Sequence, residues 1–307
     1  MTAVTVRKFG YFHENPDRTV DFSISPIVVE GDVEAEFQRL TQPLFEFFPI
    51  AIAIEVCERD LSALQSVPNR MAQLWLDSSL SSSHDLNVIE LLVEAVARVN
   101  ALLASASAYL GQSQKSLAAA KYVTEADAAA WNALRNAVHK TSSAYRIMYQ
   151  MRNFAQHYAL PISRTEMKLD NFSDSDRVAT GFFIWLDRAK LLSSGFDWGK
   201  TRADLETQHA EFDASLLLAE YVCSLRELFL DVAQRYEPYR EELRRYFVTL
   251  RRSIGAPAGS RLTIVRRAES DAGLPPEDAE ILPEAQLRWT DALVERIAIG
   301  ARSLPAT

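Results

Sequence analysis

Long stretches with helical spacing of apolar residues dominate this chain and constrain its fold more than any other feature. Four of them cover residues 33–67, 81–122, 124–160 and roughly 201–254. Each such helix has an apolar face that another element must cover. We therefore predict a mainly α fold: an antiparallel helical bundle with a small β-hairpin insertion and short N-terminal strands.

Proline and capping signals indicate where these helices begin and end. The first stretch contains Pro43 and Pro49, which predict a break or two separate pieces, and Pro68 predicts its end. Thr124 and Asp127 have the spacing of a capping box and predict the start of the third helix. We expect the third and fourth stretches to be single helices, the fourth bent near Pro238.

Three shorter segments have the alternation and β-branched content of strands. They are residues 3–30 around a turn, residues 162–188 as a hairpin around an acidic turn, and residues 261–267. The expected organisation is an N-terminal extended segment at 1–30, a helical bundle at 31–254 that carries the hairpin at 162–188, and a C-terminal segment at 255–307 with a short helix near 284–300.

The composition predicts a cytoplasmic protein with no membrane segment. Hydrophobic residues make up 48% of the chain, enough for a sizeable core, but the longest apolar run, 47–54, is far shorter than a span of about 20 residues. The first ten residues lack the apolar stretch of a signal peptide. Cys57 and Cys223 form no C-x-x-C pair, which favours two reduced thiols and gives no sign of a zinc site.

The charge of the chain is unevenly distributed. The net charge is −8, yet residues 235–267 contain nine arginines against three glutamates, a local charge of +6 that leaves −14 for the rest. Such a segment is either a basic surface for an anionic ligand or a solvated helix face with internal ion pairs. Glu237–Arg240 and Glu241–Arg245 have the spacing that the second interpretation requires.

One stretch, MYQMRNFAQHYALPI at 148–162, has a composition that suggests chemistry. At about 100° per residue, a helical wheel of residues 144–158 separates them into two arcs. The apolar arc holds Ala144, Ile147, Met148, Met151, Phe154, Ala155 and Tyr158. The polar arc holds Tyr145, Arg146, Tyr149, Arg152, Asn153, Gln156 and His157. We expect the apolar arc to face the bundle and the polar arc to be accessible.

The polar arc contains the groups that metal-independent cleavage of a phosphodiester needs. A histidine titrates near neutrality and can exchange a proton with a ribose hydroxyl. An arginine binds phosphate oxygens through a fixed fork of donors and stabilises developing charge. Asn153 lies four residues before His157 and is within reach of it. No metal and no cofactor is expected.

The sequence RNFAQH at 152–157 resembles the R-x(4–6)-H motif of the HEPN superfamily. The resemblance implies a helical bundle, a cytoplasmic ribonuclease of toxin–antitoxin or antiviral defence systems, RNA as substrate, and a homodimer with an antitoxin or another partner protein. It assigns Arg152 to the scissile phosphate, His157 to acid–base catalysis and Asn153 to orientation. We add Arg146, Tyr149 and Gln156 as substrate contacts.

Other interpretations of these residues remain open at the sequence level. Arg7 with His13, and Arg202 with His209, fit the same loose spacing. Basic residues near a helix C-terminus can also simply cap its carbonyls, which would make this a non-catalytic protein that binds a nucleotide, RNA or another protein.

Three further groups of residues each allow a functional and a simpler structural interpretation. His139 has the wheel angle of His157 and would line the same groove if the third stretch is one helix. Glu206, His209 and Asp213 would share a helix face and form either a metal site or a solvated stripe. The aromatic residues Phe182, Phe183, Trp185 and Trp198 either stack on bases or are buried.

Overall fold

The computed structural model of the chain describes residues 5–77, 84–158, 160, 162–170, 179–268 and 278–302. The prediction of a mainly α fold is confirmed: these residues form eight helices and seven strands. The helices are α1 Asp32–Asp77, α2 His84–Ala119, α3 Glu125–Thr141, α4 Ser143–His157, α5 Arg188–Ser193, α6 Thr201–Glu206, α7 Ala214–Ser253 and α8 Glu284–Arg302. The strands are β1 Thr5–Glu14, β2 Val20–Val28, β3 Ile162–Asp170, β4 Ala179–Asp187, β5 Glu211–Asp213, β6 Arg261–Ala268 and β7 Asp278–Ile281.

Backbone contacts divide the chain into two compact units, whose bounds differ from the three segments expected from the sequence. The sheet unit comprises Met1–Pro49, Ala120–Val123 and Ala233–Arg296. The helical unit comprises Ile50–Ala119, Thr124–Val232 and Ile297–Thr307. The boundaries fall inside α1, α7 and α8, so these long helices contribute residues to both units.

The sheet unit contains a four-stranded antiparallel sheet in the order β2-β1-β6-β7. The N-terminal hairpin therefore pairs with a strand from the far end of the chain, with Thr5 opposite Ala268 and Phe12 opposite Arg261. Gly10 is required where β1 pairs with β2, because a Cβ there would lie 2.6 Å from the carbonyl oxygen of Ser23. The core of this unit is formed by Phe9, Leu40, Leu44, Leu243, Phe247, Leu262 and Ile264, all buried.

α1 continues through all three of its prolines, so the predicted break near Pro43 and Pro49 and the predicted end at Pro68 are wrong. Each proline removes one helical hydrogen bond. Burial of apolar side chains offsets this loss, and Phe47 and Ile50 on either side of Pro49 have no exposed surface.

α1 also passes the length and composition test for a membrane span, over Asp32–Arg70. However, 56% of its most apolar window is buried inside the protein, as in a core helix of a soluble protein.

Ion pairs occupy much of the arginine-rich segment. The predicted pairs Glu237–Arg240 and Glu241–Arg245 are present. The side chain of Arg240 is only 4% exposed and also pairs with Asp291, to which Arg244 donates at 2.7 Å. The ion pairs of the second interpretation are therefore confirmed, but this face of α7 is not fully solvated, because Arg240 and Arg244 pair with Asp291 of α8.

In the helical unit, the third predicted helix is two helices. Ser142 has an extended backbone, φ −101° and ψ 113°, and is both the C-cap of α3 and the N-cap of α4. Its hydroxyl accepts a hydrogen bond from the backbone N–H of Tyr145 at 3.0 Å. Serine favours such caps because its side chain competes with the helical hydrogen bonds. The capping box of Thr124 and Asp127 at the start of α3 is confirmed.

The predicted β-hairpin is present as β3 and β4, which pair antiparallel and continue into β5. Its acidic turn lies outside the described residues. The prediction of one helix over 201–254 is wrong in its first part. α6 is a separate short helix, and α7 begins only at Ala214. Asp213 causes this start: its carboxylate accepts from the backbone N–H groups of Ser215 and Ile184, at 2.9 and 3.1 Å. α7 then continues through Pro238.

Candidate functional site

α4 turns its apolar arc towards the interior, as predicted. Ala144, Ile147, Met148, Met151 and Phe154 are all buried. Phe154 stacks on Trp198 with ring centroids 5.2 Å apart. The indole N–H of Trp198 donates to the carbonyl of Leu191 at 3.0 Å, so this ring has a structural role. The packing fixes the rotation of α4 and thereby the direction of its polar arc.

Arg152 and His157 both lie on the accessible side of the last turns of α4. Arg152 is half-buried and His157, the last residue of the helix, is exposed. The Nε of Arg152 is buried and has no hydrogen-bond partner among the described residues. Buried polar atoms almost always have a partner, so an arginine in this state is suited to an anionic ligand.

The two amide residues of the motif make few contacts among the described residues. Asn153 makes a long hydrogen bond of 3.4 Å with its Nδ2 to the Oε1 of Gln150, one turn earlier. Gln156 is exposed. No hydrogen bond joins Asn153 to His157 in the described residues, and the role of Asn153 in orienting the imidazole or the phosphate stays a prediction.

Arg146, in contrast, is fully engaged in structural contacts. Its guanidinium donates to both carboxylate oxygens of Asp204, at 2.6 and 2.7 Å. It also donates to the carbonyl oxygens of His139 and Lys140 at the end of α3, at 2.8 and 2.7 Å. The pairing raises the pKa of the guanidinium. Arg146 therefore joins α3, α4 and α6, and we do not retain it as a substrate contact.

Three tyrosines pack together beneath the polar arc of α4. Tyr145, expected to be accessible, is buried; its ring stacks on Tyr149 at 6.1 Å and meets Tyr221 edge-on at 5.3 Å. Burial raises the pKa of Tyr145 to about 12 and that of Tyr221 well above its usual value, which keeps both phenols neutral. The positive charge of Arg152 acts on Tyr221 in the opposite direction. Tyr149 remains half-buried beside them.

The break at Ser142 ends the common helical register on which the prediction of a groove shared by His139 and His157 depended. The imidazole is half-buried and meets the ring of Tyr145 edge-on at 6.1 Å. Burial, followed by the charge of Arg146, lowers the pKa of His139. Asp204 and Tyr221, which decide the roles of Arg146 and Tyr145, gave no signal in the sequence because they lie far from α4 along the chain.

The other candidates have structural roles in the described residues. Glu206, His209 and Asp213 lie on α6, a loop and β5 and share no helix face; no cluster of three or more metal-ligating side chains occurs in the described ranges. Trp185 is covered by the guanidinium of Arg164, whose charge centre lies 4.5 Å from the ring centroid. Phe183 stacks against Trp185 at 6.1 Å, and the side chain of Phe182 lies outside the described residues.

The alternative R-x(4–6)-H pairs also differ from Arg152 and His157 in their contacts. Arg7 is paired with Glu34 and Arg202 with Glu206. Of the three arginines with this spacing, Arg152 alone is without a carboxylate within the part of the chain that the structure describes. Comparison of the chain with protein-family models, curated proteins and solved structures finds no match to any of them.

Proposed function

We propose that this protein is a metal-independent RNA endonuclease of the HEPN type, which acts as a cytoplasmic homodimer in a toxin–antitoxin or antiviral defence system. One observation carries the proposal: of the two arginines on the polar arc of α4, Arg146 is held by Asp204, whereas Arg152 has no anionic partner among the described residues. Arg152 stands five residues before an exposed histidine, so a half-buried guanidinium and an exposed imidazole lie near one helix end.

The chemistry that these two groups support is transesterification within the RNA. His157 takes the proton of a ribose 2′-hydroxyl, and the 2′-oxygen attacks the adjacent phosphorus. The bond from phosphorus to the 5′-oxygen breaks, and the leaving oxygen takes up a proton. The products are a 2′,3′-cyclic phosphate and a 5′-hydroxyl. Arg152 stabilises the negative charge that builds on the phosphoryl oxygens in the transition state.

Helix geometry favours two copies of the motif at the reaction centre. Residues 152 and 157 are roughly 7.5 Å apart along the axis of α4 and about 140° apart around it. A single protomer therefore presents the two groups in diverging directions. In a two-fold dimer, the motifs would face each other, one His157 could accept the proton, and the other could supply it to the leaving oxygen.

Cleavage of matched RNA and chimeric substrates tests this chemistry. The purified protein is incubated with an end-labelled RNA oligonucleotide in excess EDTA, and the product ends are identified by mass spectrometry. We expect products with 2′,3′-cyclic phosphate and 5′-hydroxyl ends. A 2′-deoxy substitution on the 5′ side of each cleaved bond should abolish cleavage there, because it removes the nucleophile.

Two results would refute the proposed metal-independent nuclease activity. One is cleavage that requires a divalent metal, and the other is equal cleavage of the deoxy-substituted oligonucleotide. Binding of RNA without any cleavage would support the alternative class, a non-catalytic helical protein that binds a nucleotide, RNA or another protein. Light scattering coupled to size-exclusion chromatography tests the homodimer independently of activity.

A further inference from the structure

The sheet unit contains a pocket of about 690 Å³ that the proposed nuclease does not use. Its walls are the start of β6, the end of β7, the first two turns of α8 and one residue of α1. The volume lies in the range of pockets that hold small organic ligands. The residues that matter most for its chemistry are Phe48, Arg261, Glu284, Arg288 and Trp289.

A buried ion pair fixes the position of the acidic residue in this pocket. Arg251 donates to both carboxylate oxygens of Glu284, at 3.0 and 2.6 Å. The same guanidinium donates to the carbonyl oxygen of Ser260 at 2.6 Å, which fixes the loop that leads into β6. The side chains of Arg251 and Glu284 are only 16% and 15% exposed. The charge of Glu284 is therefore neutralised by Arg251.

The two remaining arginines of the pocket leave a positive surplus. Arg261 is exposed, and its side chain has no hydrogen bond or ion pair within the described parts of the chain. Arg288 is 64% exposed and makes one contact of 3.2 Å to Glu284, which Arg251 already occupies. The first N–H groups of α8 point in the N-terminal direction and add partial positive charge. In a protein of net charge −8, this surplus favours an anionic ligand.

Aromatic side chains form another part of the wall. Trp289 and Phe48 meet edge-on with ring centroids 5.5 Å apart, and both are half-buried. Aromatic faces stack on nucleobases, and arginine forks bind phosphate. A ligand that satisfies both features has a flat aromatic part and one phosphate a few ångströms away.

We propose that this pocket binds a nucleoside monophosphate unit, either free or at the end of an RNA chain, with the base against Trp289 and Phe48 and the phosphate on Arg261 and Arg288. All residues of the pocket belong to the sheet unit, whereas Arg152 and His157 belong to the helical unit. The proposal does not depend on nuclease activity, and either one can fail alone.

Calorimetric titration of the full-length protein with AMP, UMP, adenosine and inorganic phosphate tests the site. We expect saturable binding of both nucleotides, and binding of adenosine and phosphate weaker by about tenfold or more, since each supplies only half of the contacts. The double variant Arg261→Ala/Arg288→Ala should weaken nucleotide binding about tenfold or more. Trp289→Leu should do the same through loss of stacking.

Two controls separate the pocket from other sites. Arg245→Ala/Arg266→Ala removes two exposed arginines of the sheet unit that lie outside the pocket, and it should leave the affinity unchanged. Arg152→Ala/His157→Ala removes the anion-binding groups of α4, so nucleotide binding that this variant retains is assigned to the pocket. A 5′-phosphorylated RNA hexanucleotide distinguishes the two ligand sources: competition with AMP supports binding of a chain end, and lack of competition supports a free nucleotide.

The proposal is overturned by any of three results. The first is that neither nucleotide binds saturably. The second is that Arg261→Ala/Arg288→Ala and Trp289→Leu, both folded by circular dichroism, bind AMP as the unmodified protein does. The third is that phosphate alone binds as tightly as AMP, which would remove the aromatic wall from the recognition.

Discussion

Arg146 donates two hydrogen bonds to the carboxylate of Asp204, on a helix 58 residues further along the chain, and both side chains are less than one-fifth exposed. Because of this contact, the two arginines of α4 differ in whether they have a carboxylate partner. It gives Arg146 a structural role and leaves Arg152 as the arginine of that helix that is available to an anion.

The first prediction is that Asp204→Ala destabilises the protein by about 2 kcal/mol, because hydrogen bonds to a charged, mostly buried partner are lost together. Urea denaturation measures the change. Glu206→Ala is the matched control on the same helix, since its pair with Arg202 is more than half exposed and should contribute at most about 1 kcal/mol. Equal losses in the two variants would contradict the structural role of Arg146 and Asp204.

The second prediction concerns thiol reactivity. Cys57 is buried, and burial raises the pKa of its thiol to about 12, so roughly one molecule in ten thousand carries the thiolate at about pH 8. A Cys223→Ser variant leaves Cys57 as the sole cysteine. We expect very slow reaction with a chromogenic disulfide in the native variant and fast reaction in concentrated guanidinium chloride. Similar rates in both conditions would show that Cys57 is accessible in the native state.

The third prediction follows from the lowered pKa of His139, which results first from burial and then from the charge of Arg146. Below the ordinary histidine pKa of about 6.5, the unfolded chain binds a proton that the folded protein resists. Stability is therefore complete above that pH and falls as the pH drops below it. His139→Gln should reduce the loss of unfolding free energy between about pH 7.5 and pH 5.

The control for this prediction is His209→Gln, which changes an exposed histidine. Urea denaturation at both pH values should show the unmodified pH dependence for His209→Gln. If His139→Gln retains the full acid loss, other groups cause it and the assignment to His139 fails.

Local patterns in the sequence predicted the features that depend on neighbouring residues. The capping box of Thr124 and Asp127, the pairing of β3 with β4, and the buried arc of α4 all follow from spacing over a few residues. The wheel also placed Arg152 and His157 on the accessible side of the helix. These features need no knowledge of distant parts of the chain.

Distant contacts decided the features that the sequence did not predict. β1 pairs with β6 from the other end of the chain, and α1 continues through Pro49 because its flanking side chains are buried. Ser142 ends one helix and starts the next where periodicity alone indicated continuity. Both Arg146 and Arg152 lie on the polar arc of the helical wheel, and the pairing of Arg146 with Asp204 was not predictable from residues near it in the sequence.

The central claim is that Arg152 and His157 act on RNA because of their positions on α4. Arg202 and His209 provide an internal control, since they have the same loose spacing and His209 is also exposed, but Arg202 is paired with Glu206. The decisive measurement is the rate of cleavage of one labelled RNA in excess EDTA by Arg152→Ala/His157→Ala and by Arg202→Ala/His209→Ala. The account predicts a loss of at least about a hundredfold in the first variant and an unchanged rate in the second. Equal rates in the two variants, or no cleavage by the unmodified protein, would contradict it.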